Sequence, residues 1–424
     1  MERRKYSLRA AGPRSLTAWP LPVRLRLGGV AAAALFAAGC SMSHAAAQVT
    51  DARPAARTVT SAVQRWGSFF ADGATNTDTA VSPVMVTLPG TVAQVGSSNS
   101  TEYALLTNGR LYAWGLGQEG ELGDGDLADS PARAVPVTFP RGVKIAYIPT
   151  DVMPYDTALA VDTRGRAWGW GDNAYGELCL GDTMIRSTPV QLPFSHVTSL
   201  AGAADHDLYD ANGTVWACGQ NVEGDLGDGH LGVGSTTPVK VTGLDGAQVV
   251  RLVTSFASSG ALLADGQYYD WGYDGQGQLG DGSLGLSSDV PVHVALPHRV
   301  TQVALGGSVF TNGQTIAMLS DGSLWSWGDN HGYQLGNPAT AAPQASPMRF
   351  RAPKGVTYRF LASGAATSYA ISTAGDVYAW GVSFEGQAGD GNRRIARRPV
   401  RIARGATQIS ATANNAVINV PARK

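Results

Sequence analysis

The chain has 424 residues, 53 of them glycine, with 15% charged and 8% aromatic residues and a formal net charge of −1. This composition describes a loop-rich, β-rich folded protein and excludes a disordered chain, which needs low hydrophobicity and high net charge. The near-neutral balance also argues against a general nucleic-acid binder, whose affinity rests on neutralising phosphates.

Arg24 and Arg26 lead into an apolar run from Leu27 to Ala38 that ends in Ala37-Ala38-Gly39-Cys40. This order of charge, apolar run and small residues is that of an export signal. The ending resembles a bacterial lipobox, with Ala37 where leucine is commoner; in that reading Cys40 is lipidated and becomes the mature N-terminus. Ordinary secretory cleavage near Ala45-Ala46-Ala47 is the other reading, and both export the protein. The apolar run is shorter than the roughly 18 to 20 residues a spanning helix needs, so the expected membrane link is the lipid alone. Residues 1–39 are read as the signal and 40–57 as a flexible linker. Removing 1–39 takes seven of the 32 basic residues and one of the 33 acidic ones, leaving 25 against 32, a net charge of −7. No nucleic-acid partner is expected.

From residue 58 onward the chain repeats. Trp-Gly dipeptides begin at Trp66, Trp114, Trp170, Trp271, Trp327 and Trp380, and Cys218-Gly219 fills the one gap, giving seven positions at intervals of 48 to 56 residues. That length suits a four-stranded blade with its loops. A tight turn and an alternating strand precede each well-formed anchor, as in Asn108-Gly109-Arg110-Leu111-Tyr112-Ala113-Trp114, the pattern of a hairpin. A glycine-rich turn follows, as in Gly120-Glu121-Leu122-Gly123-Asp124-Gly125 and Gly277-Gln278-Leu279-Gly280-Asp281-Gly282, with degenerate copies at Gly176 and Gly332. A proline then recurs 17 to 20 residues past each anchor, at Pro83, Pro131, Pro189, Pro238, Pro291, Pro347 and Pro399, suited to the start or edge of a strand. The regular spacing of the anchors predicts that the indoles of the six tryptophans pack between blades.

The combination of Asp-Gly, Trp-Gly, Gly-Gln-Leu-Gly-Asp-Gly and Pro-Val resembles the regulator of chromosome condensation repeat, here in a bacterial, exported form. The histidine that this family often carries before its Asp-Gly hairpin is mostly missing. The resemblance implies an all-β, seven-bladed β-propeller of four-stranded antiparallel blades over residues 58–420, with 421–424 as a tail. The short strand before Trp66 and the anchorless pair within Ala406 to Val420 predict that both chain ends share one blade, which hides the sheet edges.

The glycine turns lack the Gly-Lys-Ser/Thr ending of a nucleotide loop, and no nucleophile elbow or metal-binding helix motif occurs. Asp124, Asp126 and Asp129 are close in sequence but read as turn residues that accept local backbone hydrogen bonds, rather than as calcium ligands. Neither a cofactor nor a metal is expected. Cys179 and Cys218 lie in neighbouring repeats and are read as two buried thiols, with pairing open in an oxidising compartment.

The candidate partner-binding residues are Phe69, Phe70, Tyr175, Tyr273, His331, Tyr333 and Phe384, which follow the anchors in turns and therefore fall on one rim. Aromatic residues in turns either anchor a partner or cap the blade edges. Arg393, Arg394, Arg397 and Arg398, with Arg401 and Arg404, form a cationic stretch that suits an anionic partner or a solvated strand face. The expected function is a monomeric, non-enzymatic propeller at the cell envelope, lipid-anchored or secreted, that binds a protein or glycan through one loop face. The resemblance also implies two alternatives: nucleotide exchange on a small GTPase, or inhibition of a secreted enzyme such as a β-lactamase.

Overall fold

A computed structural model of the chain describes residues 61–70, 77–98, 101–149, 156–308, 311–412 and 415–421. The export signal, Cys40 and the linker lie outside the described residues. Within them the strands form seven antiparallel four-stranded sheets. Blade 1 consists of Val92–Ser97, Thr101–Leu106, Leu111–Gly115 and Ser130–Pro136. Blades 2 to 6 repeat the order over 145–191, 197–240, 249–293, 300–350 and 358–403. Blade 7 is made from both ends, in the order Thr77–Val86, Ser61–Phe70, Asn415–Pro421, Gln408–Ala411. Ala62 pairs with Val420 and Trp66 with Ala416, so the predicted closure is present. The first strand of each blade lies innermost, and those of blades 3 to 7 and blade 1 pack against one another in sequence.

Five of the tryptophan anchors lock two blades together. Trp170 Nε1 donates to Glu121 O of the preceding blade at 2.8 Å, Trp271 to Asp225 O, Trp327 to Gln278 O, Trp380 to Gln334 O and Trp66 to Gln387 O. All five acceptors are the second residue of the glycine-rich turn. The glycine two positions later lies flat against the same indole: a Cβ at Gly123 would sit 2.7 Å from Trp170 Nε1, and one at Gly227 2.7 Å from Trp271 Nε1. Gly123 also has φ of +63°, which a side chain would strain. The anchors are therefore core residues, as their spacing predicts.

The seven prolines all sit in outer strands, inside a bulge. In blade 3, Ser235 pairs with Gly219 and Val239 with Ala217, so Pro238 falls where the ladder is interrupted and its missing N–H costs no hydrogen bond. Blade 1 alone has one residue more in this bulge, between Ser130 and Val135.

Two expectations need correction. Cys179 and Cys218 are not free thiols but a disulfide, with Cα atoms 5.5 Å apart. Cys179 occupies the position of Gly123 in its turn and keeps the same backbone, φ +59°, while Cys218 occupies the anchor position of the next blade. The interface that lacks the glycine–indole contact is joined covalently instead. Secondly, Phe69 and Phe70 are not in a turn: the strand runs on past Trp66 to Phe70, which pairs with Thr77. The connecting residues 71–76 lie outside the described residues.

Candidate partner-binding face

Antiparallel order brings the first and third connections of every blade to the same end of the ring. Backbone bonds join them: Asp172 N donates to Asp156 O, Gln220 N to Asp205 O, Tyr273 N to Ala257 O and Val382 N to Ala366 O. This loop face holds the predicted aromatic residues. Tyr175 and Phe384 are 47% and 57% exposed. His331 is exposed, its Nδ1 hydrogen-bonded to Asp329. Tyr273 and Tyr333 are half-buried, and the Arg397 guanidinium of the next blade lies 4.5 Å over the Tyr333 ring, a cation–π contact across the interface. Phe69 and Phe70 end a strand of blade 7, paired with Asp78 and Thr77.

The arginines do not form one patch. Arg393 and Arg394 are in the glycine-rich connection, Arg397, Arg398 and Arg401 lie along Ala396–Ala403, and Arg404 follows at the opposite end of the blade. Arg401 pairs with Asp376 at 3.4 Å. All six are exposed.

Two further features of this face are visible only in the structure. The first is a series of exposed aliphatic residues just after the glycine-rich turns of blades 1 to 4: Leu127, Met184, Leu231 and Leu284, each more than half exposed. The register was readable, since these residues stand 13 or 14 positions past their anchors.

The second is a run of buried acids. The second residue of the glycine-rich turn is Glu121, Glu177 and Asp225 in blades 1 to 3 but Gln278, Gln334 and Gln387 in blades 4 to 6. Every one accepts a hydrogen bond from the backbone N–H two residues earlier, as in Glu119 N to Glu121 Oε2 at 2.9 Å and Gln276 N to Gln278 Oε1 at 2.8 Å. Burial, reinforced by the Asp156 charge, pushes Glu121 up to about 8. Glu177 rises to about 7 by burial and the Asp172 charge. Asp225 rises to about 7 by burial, opposed by His206, and burial with the Asp172 and Glu119 charges takes Asp156 to about 6.

In the same quarter His206 Nδ1 meets Asp205 Oδ1 at 3.0 Å and Nε2 meets Ser259 Oγ at 2.8 Å. The order Asp–His–Ser is that of a hydrolase relay, but it cannot work as one. His206 and Ser259 are both fully buried, and the Ser259 hydroxyl donates to Asp225 O at 2.9 Å, so no substrate carbonyl reaches it. With that hydroxyl proton committed, the contact to Ser259 places a proton on Nε2. Burial opposes the charge, but the Asp205 hydrogen bond and the Asp225, Asp205 and Glu177 carboxylates outweigh it and raise the histidine pKa.

Asp124, Asp126 and Asp129 accept backbone N–H groups of Asp126, Leu127 and Gly117. Among the described residues no group of three or more His, Cys, Asp or Glu is placed to hold a metal ion.

The fold is that of a seven-bladed propeller with exposed aromatic and aliphatic side chains on one loop face. The family model of the Regulator of chromosome condensation (RCC1) repeat matches residues 108–149, 164–208, 265–310 and 321–371. Among curated proteins the chain is similar to the Ultraviolet-B receptor UVR8 of Arabidopsis thaliana, 28% identical over 332 residues, covering 74% of this chain and 70% of the receptor. It is 26% identical to the E3 ubiquitin-protein ligase HERC2 of Homo sapiens over 73% of this chain, but spans only 6% of that protein. Among solved structures, Prp20p from Saccharomyces cerevisiae superposes with a TM-score of 0.71 at 20% identity, covering 87% of this chain and 93% of that one. Human WBSCR16 gives 0.72 at 18% identity, covering 85% and 99%. These structures share the fold.

Proposed function

We propose that the protein is an exported, non-enzymatic propeller that binds a protein partner at the cell envelope through its loop face, held there by lipid on Cys40 or released after signal cleavage. The observation that carries this reading is the face itself. Exposed aliphatic and aromatic side chains stand on loops fixed by seven locked blades, so ordering them on binding loses little entropy. Among the described residues, the catalytic-looking Asp205–His206–Ser259 constellation is sealed. The leader sequence supports export, and so does the Cys179–Cys218 disulfide, since such bonds persist in oxidising compartments.

Affinity capture from envelope extract with the full chain and with a Tyr175→Ala/Phe384→Ala variant tests the binding role. We expect a captured protein that the variant loses at unchanged melting temperature; equal capture by both would refute the assignment of the face. Capture of a glycan in place of a protein would also refute it. Metabolic labelling with a fatty acid, lost on Cys40→Ala, checks the anchor.

Nucleotide exchange on a small GTPase is the alternative, supported by the reported binding of the structurally similar Prp20p to Gsp1p. Localisation separates the two: a cytoplasmic, unlipidated protein would favour exchange.

A further inference from the structure

In five blades the last glycine of the glycine-rich turn clamps the next blade. Gly125 N donates to Ser187 O at 3.0 Å, Gly181 N to Thr236 O, Gly229 N to Asp289 O, Gly282 N to Ala345 O and Gly391 N to Val81 O. Each acceptor stands two residues before the bulge proline of the neighbouring outer strand. Blade 5 breaks the series. Counting from its wedge glycine, Gly336, this position is Pro338, which has no N–H to give. The outer strands of blades 5 and 6, Gln344–Phe350 and Ala396–Ala403, are therefore not tied by this bond.

A cleft of about 570 Å³ opens there, lined by Pro338 on the turn side and by Arg398 on blade 6. It is apolar within and cationic at the lip. Phe350, 4% exposed and packed 5.6 Å from the Trp380 indole, is recessed together with half-buried Met348. Arg349, Arg351, Lys354 and Arg398 are exposed, and no acid is among the described residues that line the cleft. Arg349 acts on Asp321, which already accepts from Ser323 and pairs with His298. The side-chain charges of the other three have no partner among the described residues. The imbalance extends past the cleft: residues 336–404 hold ten basic and three acidic residues, whereas the rest of the chain holds 22 and 30.

We propose that this cleft binds an acidic segment of a partner protein, with one apolar side chain entering against Met348 and Phe350 and flanking carboxylates meeting Arg351, Lys354 and Arg398. Charge complementarity selects the occupant. Like charges gathered around one cleft repel one another until an anion enters, and guanidinium groups pair with carboxylates through two parallel hydrogen bonds. The recessed apolar lining selects a peptide over a bilayer, because side chains below a cationic lip do not insert into lipid but are reached by a peptide side chain. Tyr175 and Phe384 of the loop face do not line the cleft, so this contact is independent of that face.

The test uses the full chain and a fluorescein-labelled peptide, Glu-Glu-Leu-Glu-Glu, followed by anisotropy at about 50 mM salt, where exposed charges are weakly screened. Saturable binding is expected, weakened about tenfold or more by Lys354→Glu/Arg398→Glu, both exposed changes, and about threefold by serine in place of the peptide leucine. Asn337→Asp/Pro338→Gly, which rebuilds the Asp-Gly turn of the other blades, should also weaken it. Arg394→Glu, exposed but outside the cleft, and Tyr175→Ala/Phe384→Ala should bind as the wild type does. No saturation at millimolar peptide, equal affinity in the Lys354→Glu/Arg398→Glu protein, or an equal loss in Arg394→Glu would each overturn the proposal. So would sedimentation with phosphatidylglycerol vesicles that the two charge reversals abolish while the peptide stays unbound.

Discussion

Replacing Glu121 and Glu177 together by glutamine should make the propeller more stable at pH 8 and less stable at pH 5, where the carboxyl penalty has nearly vanished and the cost of the buried amides remains. Both carboxyls are raised from 4.5, Glu121 to about 8 and Glu177 to about 7. Between 4.5 and those values the folded chain holds protons that the unfolded chain has released, so stability is full below pH 4.5 and falls as pH rises through 7 to 8. At about 1.4 kcal/mol per unit, the ceiling at pH 8 is about 8 kcal/mol for the pair, and relaxation and water entry reduce such burial penalties substantially. Glutamine keeps the backbone hydrogen bond, as Gln278 and Gln334 do, but their Nε2 atoms find no partner among the described residues, an opposing cost of about 1 to 3 kcal/mol for each such buried group. We expect a net gain of about 2 kcal/mol at pH 8, read from urea unfolding followed by tryptophan fluorescence. A wild-type midpoint that is the same at pH 5 and pH 8, or a variant that shifts both equally, would refute the burial argument.

Three other outcomes follow from the blade interfaces. Reduction of the Cys179–Cys218 bond, which closes a loop of 39 residues, should cost about 4 kcal/mol in denaturant experiments; the double change Cys179→Gly/Cys218→Trp, which restores the pattern of the other interfaces, should recover much of it without an oxidant. Trp271→Ala removes a fully buried indole and its bond to Asp225 O and should cost about 3 to 5 kcal/mol, measured by calorimetry. Deleting residues 406–424 strips the inner two strands from blade 7 and exposes the edge of Ser61–Phe70; the chain should lose its cooperative melting transition or aggregate, and an unchanged melting temperature would argue against closure.

The ring was legible because one physical unit recurs: turn, anchor, glycine wedge and bulge proline. The departures were written in the same register but could not be interpreted without the packing rule that links neighbours. Cys179 stands at a wedge position and Cys218 at the next anchor, so their pairing follows once it is known that these positions touch; read singly, each is only a small apolar residue. Phe69 and Phe70 were placed in a turn by analogy with the other blades, although blade 7 lacks the glycine wedge that turns the chain elsewhere. The sealed Asp205–His206–Ser259 group was invisible because Ser259 belongs to a different blade, 53 residues away.

The buried acids carry the argument furthest toward function. Glutamine at the same turn position in blades 4 to 6 accepts the same backbone hydrogen bond, so the fold does not require Glu121, Glu177 or Asp225, and at neutral pH their burial works against stability. A local choice that weakens the fold where a neutral residue serves elsewhere in the same chain points to a role outside folding. Sharing their connections with Leu127, Met184 and Leu231 on blades 1 to 3, these acids favour a partner that brings cationic and apolar groups together. The Glu121→Gln/Glu177→Gln protein should therefore be the more stable at pH 8 and yet bind the captured partner more weakly, by tenfold or more, with a shallower salt dependence. Unchanged affinity in that variant would remove the acids from the binding face and leave only their effect on stability.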